Sequence, residues 1–268
     1  MPSNESGVNY HRACCYDAER KAERMTTATQ TPRLEENRER GSHSLQRLVG
    51  RQFGESHCLN ADCMEVMREY PDSFFDLAIC DPPYGVNAGA TKKYCSKNAK
   101  TYTPKPWDGK TPGREYFDEL RRVSKRQIIW GGNYYASKLP DSRGWIFWDK
   151  RKQVKNYAAG ELAWTSYDRN LEMVTLQHHG FLTADEASSI HPTQKPVPLY
   201  EWTLRTYAEI GWRLLDTHMG SGSSVIAAIR HGCTIIACEI DPDYFRDAVE
   251  RIPNELAQGV LLPPNNRI

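Results

Sequence analysis

None of the eight cysteines forms a Cys-x-x-Cys pair, which removes the usual zinc-staple and dithiol redox motifs and leaves free thiols of a reducing compartment. No apolar run approaches the roughly 20 residues that a membrane-spanning helix needs, and there is no secretory apolar segment near Met1, so a soluble, cytoplasmic protein is expected. No second cluster of Asp, Glu or His stands at ligand spacing, so no metal is expected. Charge of neither sign dominates: 35 Lys and Arg face 34 Asp and Glu, a formal net charge of +1.

What the chain does have is unevenly placed. Residues 1–54 offer few apolar positions and many Arg, Glu, Ser and Thr, and read as a polar, loosely ordered arm. Residues 55–255 read as a single domain and residues 256–268 as a C-terminal tail. Between residues 85 and 160 there are 17 Lys and Arg against 6 Asp and Glu, with Trp and Tyr interleaved. Such a stretch suits a phosphate backbone, although a solvated lysine-rich face has the same composition.

Hydrophobic periodicity separates strands from helices. Residues 56–60, 74–80, 126–130, 145–148, 213–215 and 233–238 read as strands, and residues 62–70, 114–123, 199–210, 223–231 and 242–252 as helices. Segments 161–166 and 171–176 fit either. Strands alternating with helices of about this length imply an α/β fold of three layers around a mostly parallel sheet. The 85–113 loop is far longer than an ordinary connection, itself a functional signal.

Two constellations carry chemistry. In the first, a strand ends at Asp216 and runs through Thr217-His218-Met219 into Gly220-Ser221-Gly222-Ser223, which opens a helix; the next strand ends in Glu239. Glycines let backbone approach a ligand, and an acid at that spacing can accept both hydroxyls of a ribose. The pattern lacks the third glycine of a dinucleotide fingerprint and any phosphate-binding lysine after the turn. An adenosine-containing ligand therefore fits, and the carboxylate of Asp216 suits a cationic methionine moiety better than a pyrophosphate. Asp62 is a further cofactor candidate, and equally an N-cap for the helix that follows it.

The second constellation is Asp81-Pro82-Pro83-Tyr84, set at the end of a buried strand. An exocyclic base nitrogen is a weak nucleophile, because its lone pair is delocalised into the ring. Acceptors on its hydrogens stabilise the charge that develops as it is alkylated. The Asp81 carboxylate and the rigid Pro82 carbonyl provide two, and the Tyr84 ring offers a stacking face for an extruded base. That role needs the ring and not the hydroxyl. No Pro-Cys pair is present, so a covalent route to cytosine C5 has no nucleophile.

With these motifs in order, the chain resembles the amino-methylating DNA methyltransferases, in the permuted arrangement where the catalytic tetrapeptide precedes the cofactor glycines. The resemblance covers residues 56–252. It rests on Asn60-Ala61-Asp62-Cys63, Asp81-Pro82-Pro83-Tyr84, His191-Pro192-Thr193-Gln194-Lys195-Pro196, the Asp216 loop and Glu239. It implies a seven-stranded, Rossmann-like S-adenosylmethionine-dependent methyltransferase fold, base flipping with direct transfer, duplex DNA as partner and frequent homodimers in a bacterial or phage-infected cell. Asp81, Pro82, Pro83 and Tyr84 are the catalytic candidates. Asp62, Asp81, Thr193, Lys195, Asp216, His218, Gly220, Ser221, Gly222, Ser223 and Glu239 are the cofactor candidates. Loops at 85–113 and 151–190 are expected to meet DNA, through Lys92, Lys93, Lys97, Lys105, Asn133, Lys150, Arg151, Lys152 and Lys155.

One departure stands out: the family's Pro-Phe before its glycines is replaced by Thr217-His218-Met219. The acid-led tetrapeptide favours adenine N6, with cytosine N4 as the alternative. A silent DNA-binding protein of the same fold, or a methyltransferase acting on RNA or on protein glutamine, are readings of other classes.

Overall fold

The computed structural model describes residues 49–86, 109–151, 158–176, 190–191 and 193–258. Within them the chain forms one mixed sheet of nine strands in the order β1-β2-β9-β8-β3-β4-β6-β5-β7. Its strands are β1 Gly50–Phe53, β2 Ser56–Asn60, β3 Leu77–Cys80, β4 Gln127–Trp130, β5 Trp145–Asp149, β6 Gly160–Thr165, β7 Glu172–Thr175, β8 Arg213–Asp216 and β9 Thr234–Glu239. The helices are α1 Cys63–Arg68, α2 Arg114–Val123, α3 Val197–Tyr207, α4 Ser223–His231 and α5 Pro242–Ala257.

The three-layer arrangement follows from the two-residue period of the buried strands. Leu77, Ile79, Ile128 and Leu214 face one side, where they pack with Leu199 and Leu204 of α3, Val225 and Ile226 of α4, and Ala248 and Ile252 of α5. Ala78, Cys80, Ile129 and Leu215 face the other, against Val66 and Met67 of α1 and Tyr116, Phe117 and Leu120 of α2. Strands buried on both faces read as continuous apolar runs, as the sequence showed. Each fully buried Leu, Ile or Phe contributes roughly 1.5–3 kcal/mol.

Strands β2, β9, β8, β3 and β4 are mutually parallel, so their carboxyl ends lie on one edge of the sheet. The chain proceeds from β8 to β9 on one side and from β3 to β4 on the other. Loops leaving β3 and β8 therefore diverge and open a crevice between them, which is where ligands bind in open α/β sheets. The two constellations singled out above, Asp81-Pro82-Pro83-Tyr84 and Thr217 to Gly222, are those two loops.

The structure corrects the expected element plan in several places. The sheet has nine strands, not seven, although the fold class stands. Strand β1 lies inside the stretch read as arm and pairs antiparallel with β2; its GRQF sequence is exposed and lacks alternation, so periodicity could not find it. The two undecided segments are β6 and β7, and β6 runs antiparallel between β4 and β5. Strand β3 is shorter than the apolar run, because Phe75 makes only an isolated bridge to Ser124. Helix α5 continues through Pro253 to Ala257, where a proline normally stops a helix. Its last turn is held from outside, as Arg230 donates to the Glu255 carbonyl at 2.6 Å.

Candidate functional site

A cavity of about 300 Å³ fills the crevice, with walls from the β2–α1, β3, β8 and β9 carboxyl ends and from the His191 to Lys195 loop. Asp62, Asp81, Pro82, Pro83, Tyr84, Thr193, Lys195, His218, Gly220, Ser221, Ser223 and Glu239 all line it. Residues far apart in the chain thus converge on one space because parallel strands deliver them to one edge.

Glu239 is pinned at the end of β9. Its carboxylate accepts the Gly220 N–H and the Asp241 N–H, each at 2.9 Å. One backbone donor on each oxygen leaves further lone pairs for hydroxyl donors. Burial raises its pKa to about 7 despite those backbone bonds. Gly220 is left-handed at φ +53°, a conformation that glycine reaches without strain.

Asp62 performs both of its candidate roles: its side chain caps α1 by accepting the Met64 N–H at 2.7 Å, and it also borders the cavity. His218, within the Thr217-His218-Met219 stretch, lines the cavity, and desolvation lowers its pKa to about 4, so it is neutral at pH 7. Its Nδ1 lies 2.9 Å from the Thr217 hydroxyl, which in turn lies 2.6 Å from the Tyr116 hydroxyl.

Two nominated residues are placed elsewhere. Asp216 is 1% exposed and lies beneath the cavity wall. Its oxygens accept from the Ser224 hydroxyl and the His218 N–H, and burial raises its pKa to about 7. It braces the loop where a direct contact with the cofactor was expected. Gly222 also stands outside the lining; it caps α4 in the left-handed region, and a Cβ there would meet Ile252 at 3.0 Å. Its small size lets α5 pack close to the loop.

The other half of the crevice is a charged cluster. Lys195, only 4% exposed, places its ammonium 2.5 Å from Asp81 Oδ2 and 3.2 Å from Glu161 Oε2. Glu161 pairs in turn with Lys150. The Tyr84 hydroxyl donates to Asp81 Oδ1 at 2.7 Å, lies 3.3 Å from Glu161 Oε2, and accepts from Lys195 at 3.0 Å. Burial alone would raise the Glu161 pKa, but Lys195 and Lys150 outweigh it and bring it to about 2. Lys195, expected to meet a cofactor carboxylate or a phosphate, is thus committed to two internal carboxylates.

The tetrapeptide is held from behind. The Tyr135 hydroxyl lies 2.5 Å from the Pro82 carbonyl and 2.9 Å from that of Pro83, so one lone pair of the Pro82 oxygen is occupied and the other remains. The Tyr84 ring stacks on Tyr134 at 4.8 Å and 13°. Room for Tyr84 comes from Gly131, which ends β4 at φ +71°; a Cβ there would lie 2.2 Å from the Tyr84 ring. Gly131→Ala is therefore expected to displace Tyr84 and to cost about 1–3 kcal/mol in chemical denaturation, through backbone strain and overpacking.

Sequence reading missed Glu161, Tyr134 and Tyr135. The signal for Glu161 was an acid inside an otherwise apolar segment; the two tyrosines followed a glycine turn and gave no sign of which way they faced.

Of the residues nominated to meet DNA, Lys92, Lys93, Lys97, Lys105, Lys152 and Lys155 lie outside the described residues. Asn133 is exposed at the end of β4, and Arg151 is exposed after β5. Lys150 pairs with Glu161. Several other basic residues of this stretch are also locally neutralised: Arg121 by Asp118, Arg122 by Glu119 and Asp72, Lys125 by Asp76 and Arg143 by Asp168. Among the described residues of the segment, much of the basic charge is thus paired locally.

Residues 145–250 match the family described as DNA methylase, of the N6 and N4 methyltransferases. The chain resembles the amino-methylating DNA methyltransferases. The match spans β5 to α5 with the His191 motif, the glycine loop and Glu239, while Asp81-Pro82-Pro83-Tyr84 lies ahead of it. "Putative methylase YubD" of Escherichia coli (strain K12) is 23% identical over 217 residues, covering 74% of this chain and 90% of that relative. Among solved structures, PvuII DNA methyltransferase (cytosine-N4-specific) superposes with a TM-score of 0.52 at 12% identity, over 77% of this chain and 93% of that one. The M1.HpyAVI–SAM complex gives a TM-score of 0.49 at 18% identity, over 73% and 98%. The fold is that of the class I methyltransferases. Among the described residues there is no group of three or more His, Cys, Asp or Glu that could hold a metal ion. Among them, too, no helix is long and apolar enough to cross a membrane.

Proposed function

We propose that this chain transfers a methyl group from S-adenosylmethionine to adenine N6 in duplex DNA, by base flipping and direct attack of the amino nitrogen. The observation that carries the reading is the shared cavity: Asp81-Pro82-Pro83-Tyr84 forms one wall, and the Gly220 loop with Glu239 forms the other. A donor of a one-carbon group and its acceptor would meet across about the width of one ligand.

The residues present fit that cofactor. Glu239 would accept ribose hydroxyls with its free lone pairs, Asp62 and His218 would border the remainder of the nucleoside and methionine, and Ile240 adds an apolar surface beside Glu239. Bound there, S-adenosylmethionine would supply an electrophilic methyl group and a neutral thioether as its leaving group. Asp81 accepts one amino hydrogen, and the free lone pair of the Pro82 carbonyl accepts the other. The Tyr135 hydroxyl keeps that carbonyl fixed, which preserves the alignment a direct displacement requires.

The decisive experiment incubates the protein with duplex DNA and labelled cofactor and identifies the modified base by mass spectrometry. N6-methyladenine is expected; N4-methylcytosine would shift the base assignment, and label in neither would remove the reading. A phosphate-binding role for Lys92 and Lys93 predicts that reversing both charges weakens all DNA binding and lowers the log–log salt slope by about 0.9 for each phosphate no longer neutralised.

Glu239 also gives the cofactor step a pH dependence. Hydroxyl donors favour its ionised form, and its pKa in the free protein is about 7. Binding then expels a proton below pH 7, so affinity measured by calorimetry should weaken by up to about tenfold per pH unit there and level off above it. Glu239→Gln should flatten this profile.

A further inference from the structure

Methylation of an amino nitrogen leaves one proton too many on the product, and the site described above has an unused route for it. The Tyr84 hydroxyl bridges two carboxylates, 2.7 Å from Asp81 Oδ1 and 3.3 Å from Glu161 Oε2. Asp81 faces the cavity, whereas the Glu161 side chain is 20% exposed beside Lys150, so the second carboxylate reaches water where the first faces substrate. Methyl transfer as set out above requires only the Tyr84 ring, and no step in it uses Glu161.

We propose that Asp81, Tyr84 and Glu161 form a proton exit, with Glu161 as its terminal acceptor. The inference rests on the methyl-transfer reading. The alkylated nitrogen loses its N–H bond as an O–H bond forms on Asp81. Protonation of Asp81 turns the Tyr84 hydroxyl hydrogen from Asp81 Oδ1 to Glu161 Oε2, both within its reach. The Tyr84 oxygen then takes the Asp81 proton as its own hydrogen passes to Glu161. Glu161 then releases it to water, and both carboxylates and the neutral phenol are restored.

Two features fit such a path. Tyr84 stays protonated, because burial and then the two carboxylates raise its pKa well above 10, so it conducts only by giving and taking at once. Glu161 does not retain a proton it receives: Lys195 and Lys150 overcome its burial and hold its pKa near 2, so the proton goes on to water. Lys195 touches all three groups and keeps two close carboxylates from repelling one another.

The test compares wild type, Glu161→Ala, Glu161→Gln and Tyr84→Phe in single-turnover methyl transfer, with cofactor and DNA dissociation constants measured in parallel. All three variants should bind both ligands as wild type does and transfer about 100-fold more slowly, the scale of one lost acid–base group. Glutamine keeps the size of Glu161 but takes no proton. Formate should restore Glu161→Ala, with a solvent deuterium isotope effect on the restored rate, and should leave Tyr84→Phe slow because that break lies upstream. An active wild type alongside a Glu161→Gln variant of equal rate would overturn the exit path while leaving methyl transfer intact. Formate rescue without an isotope effect would also overturn it, by reducing Glu161 to an ion-pair partner. A wild type that methylates no DNA would remove the underlying reading instead.

Discussion

Lys195→Met should destabilise the protein by about 3–5 kcal/mol, the cost of leaving buried charge without its partner. The ammonium is 4% exposed and sits between Asp81 and Glu161. Removing it strands two carboxylates close together, with only Lys150 left to offset Glu161. Methionine keeps most of the volume, so the loss reads charge and not packing. Urea denaturation measures it, and pairing Lys195→Met with Glu161→Gln should recover part of the deficit.

The sign of the pH dependence follows from Glu161. Its folded pKa of about 2 lies below the ordinary value of 4.5. Its contribution is therefore complete above about pH 4.5, and is lost as the pH falls from there towards 2. Lys195→Met should reduce this acid-side slope, with Lys150 keeping part of it. A variant as stable as wild type at pH 7 would mean that the cluster is solvated and contributes little.

Asp81→Ala should cut single-turnover methyl transfer by about 100-fold or more while cofactor affinity stays close to wild type. That is the scale expected for removing a preorganised electrostatic group. In the proposed reaction the carboxylate would be needed where charge develops on the amino nitrogen, while Glu239 and the Gly220 loop would hold the cofactor on the other wall of the cavity. Its loss also frees Lys195 to pair with Glu161 alone, so stability should fall far less than in Lys195→Met. Asp81→Asn separates the roles further, since the amide retains shape but neither the charge nor the proton acceptor. Filter binding gives assembly and labelled-methyl transfer gives rate. A fully active Asp81→Ala protein would sink the mechanism, as would C5-methylcytosine in the product.

Much of this was legible along the chain. The apolar runs ending at Cys80, Trp130, Asp216 and Glu239 identified parallel strands, because strands buried on both faces cannot carry polar alternation. Gly220, Gly222 and the two prolines of the tetrapeptide marked where backbone must turn sharply. Helix α2 occupies the residues its periodicity indicated. Those features are local, and local sequence specifies them.

Partnership was not legible, because it depends on which strands become neighbours. The sequence alone determined that an acid, two prolines and an aromatic end one buried strand, and that glycines and a ribose-spaced acid follow two others. Only the tertiary structure decided that β3 lies beside β8, which sets both groups across one cavity. It also turned Asp216 beneath the wall, buried against Ser224, and brought Glu161 from an antiparallel strand to Lys195. Charge along a chain says how many ions there are; which of them neutralise one another is settled by packing, since a buried ammonium must find carboxylates wherever the fold delivers them.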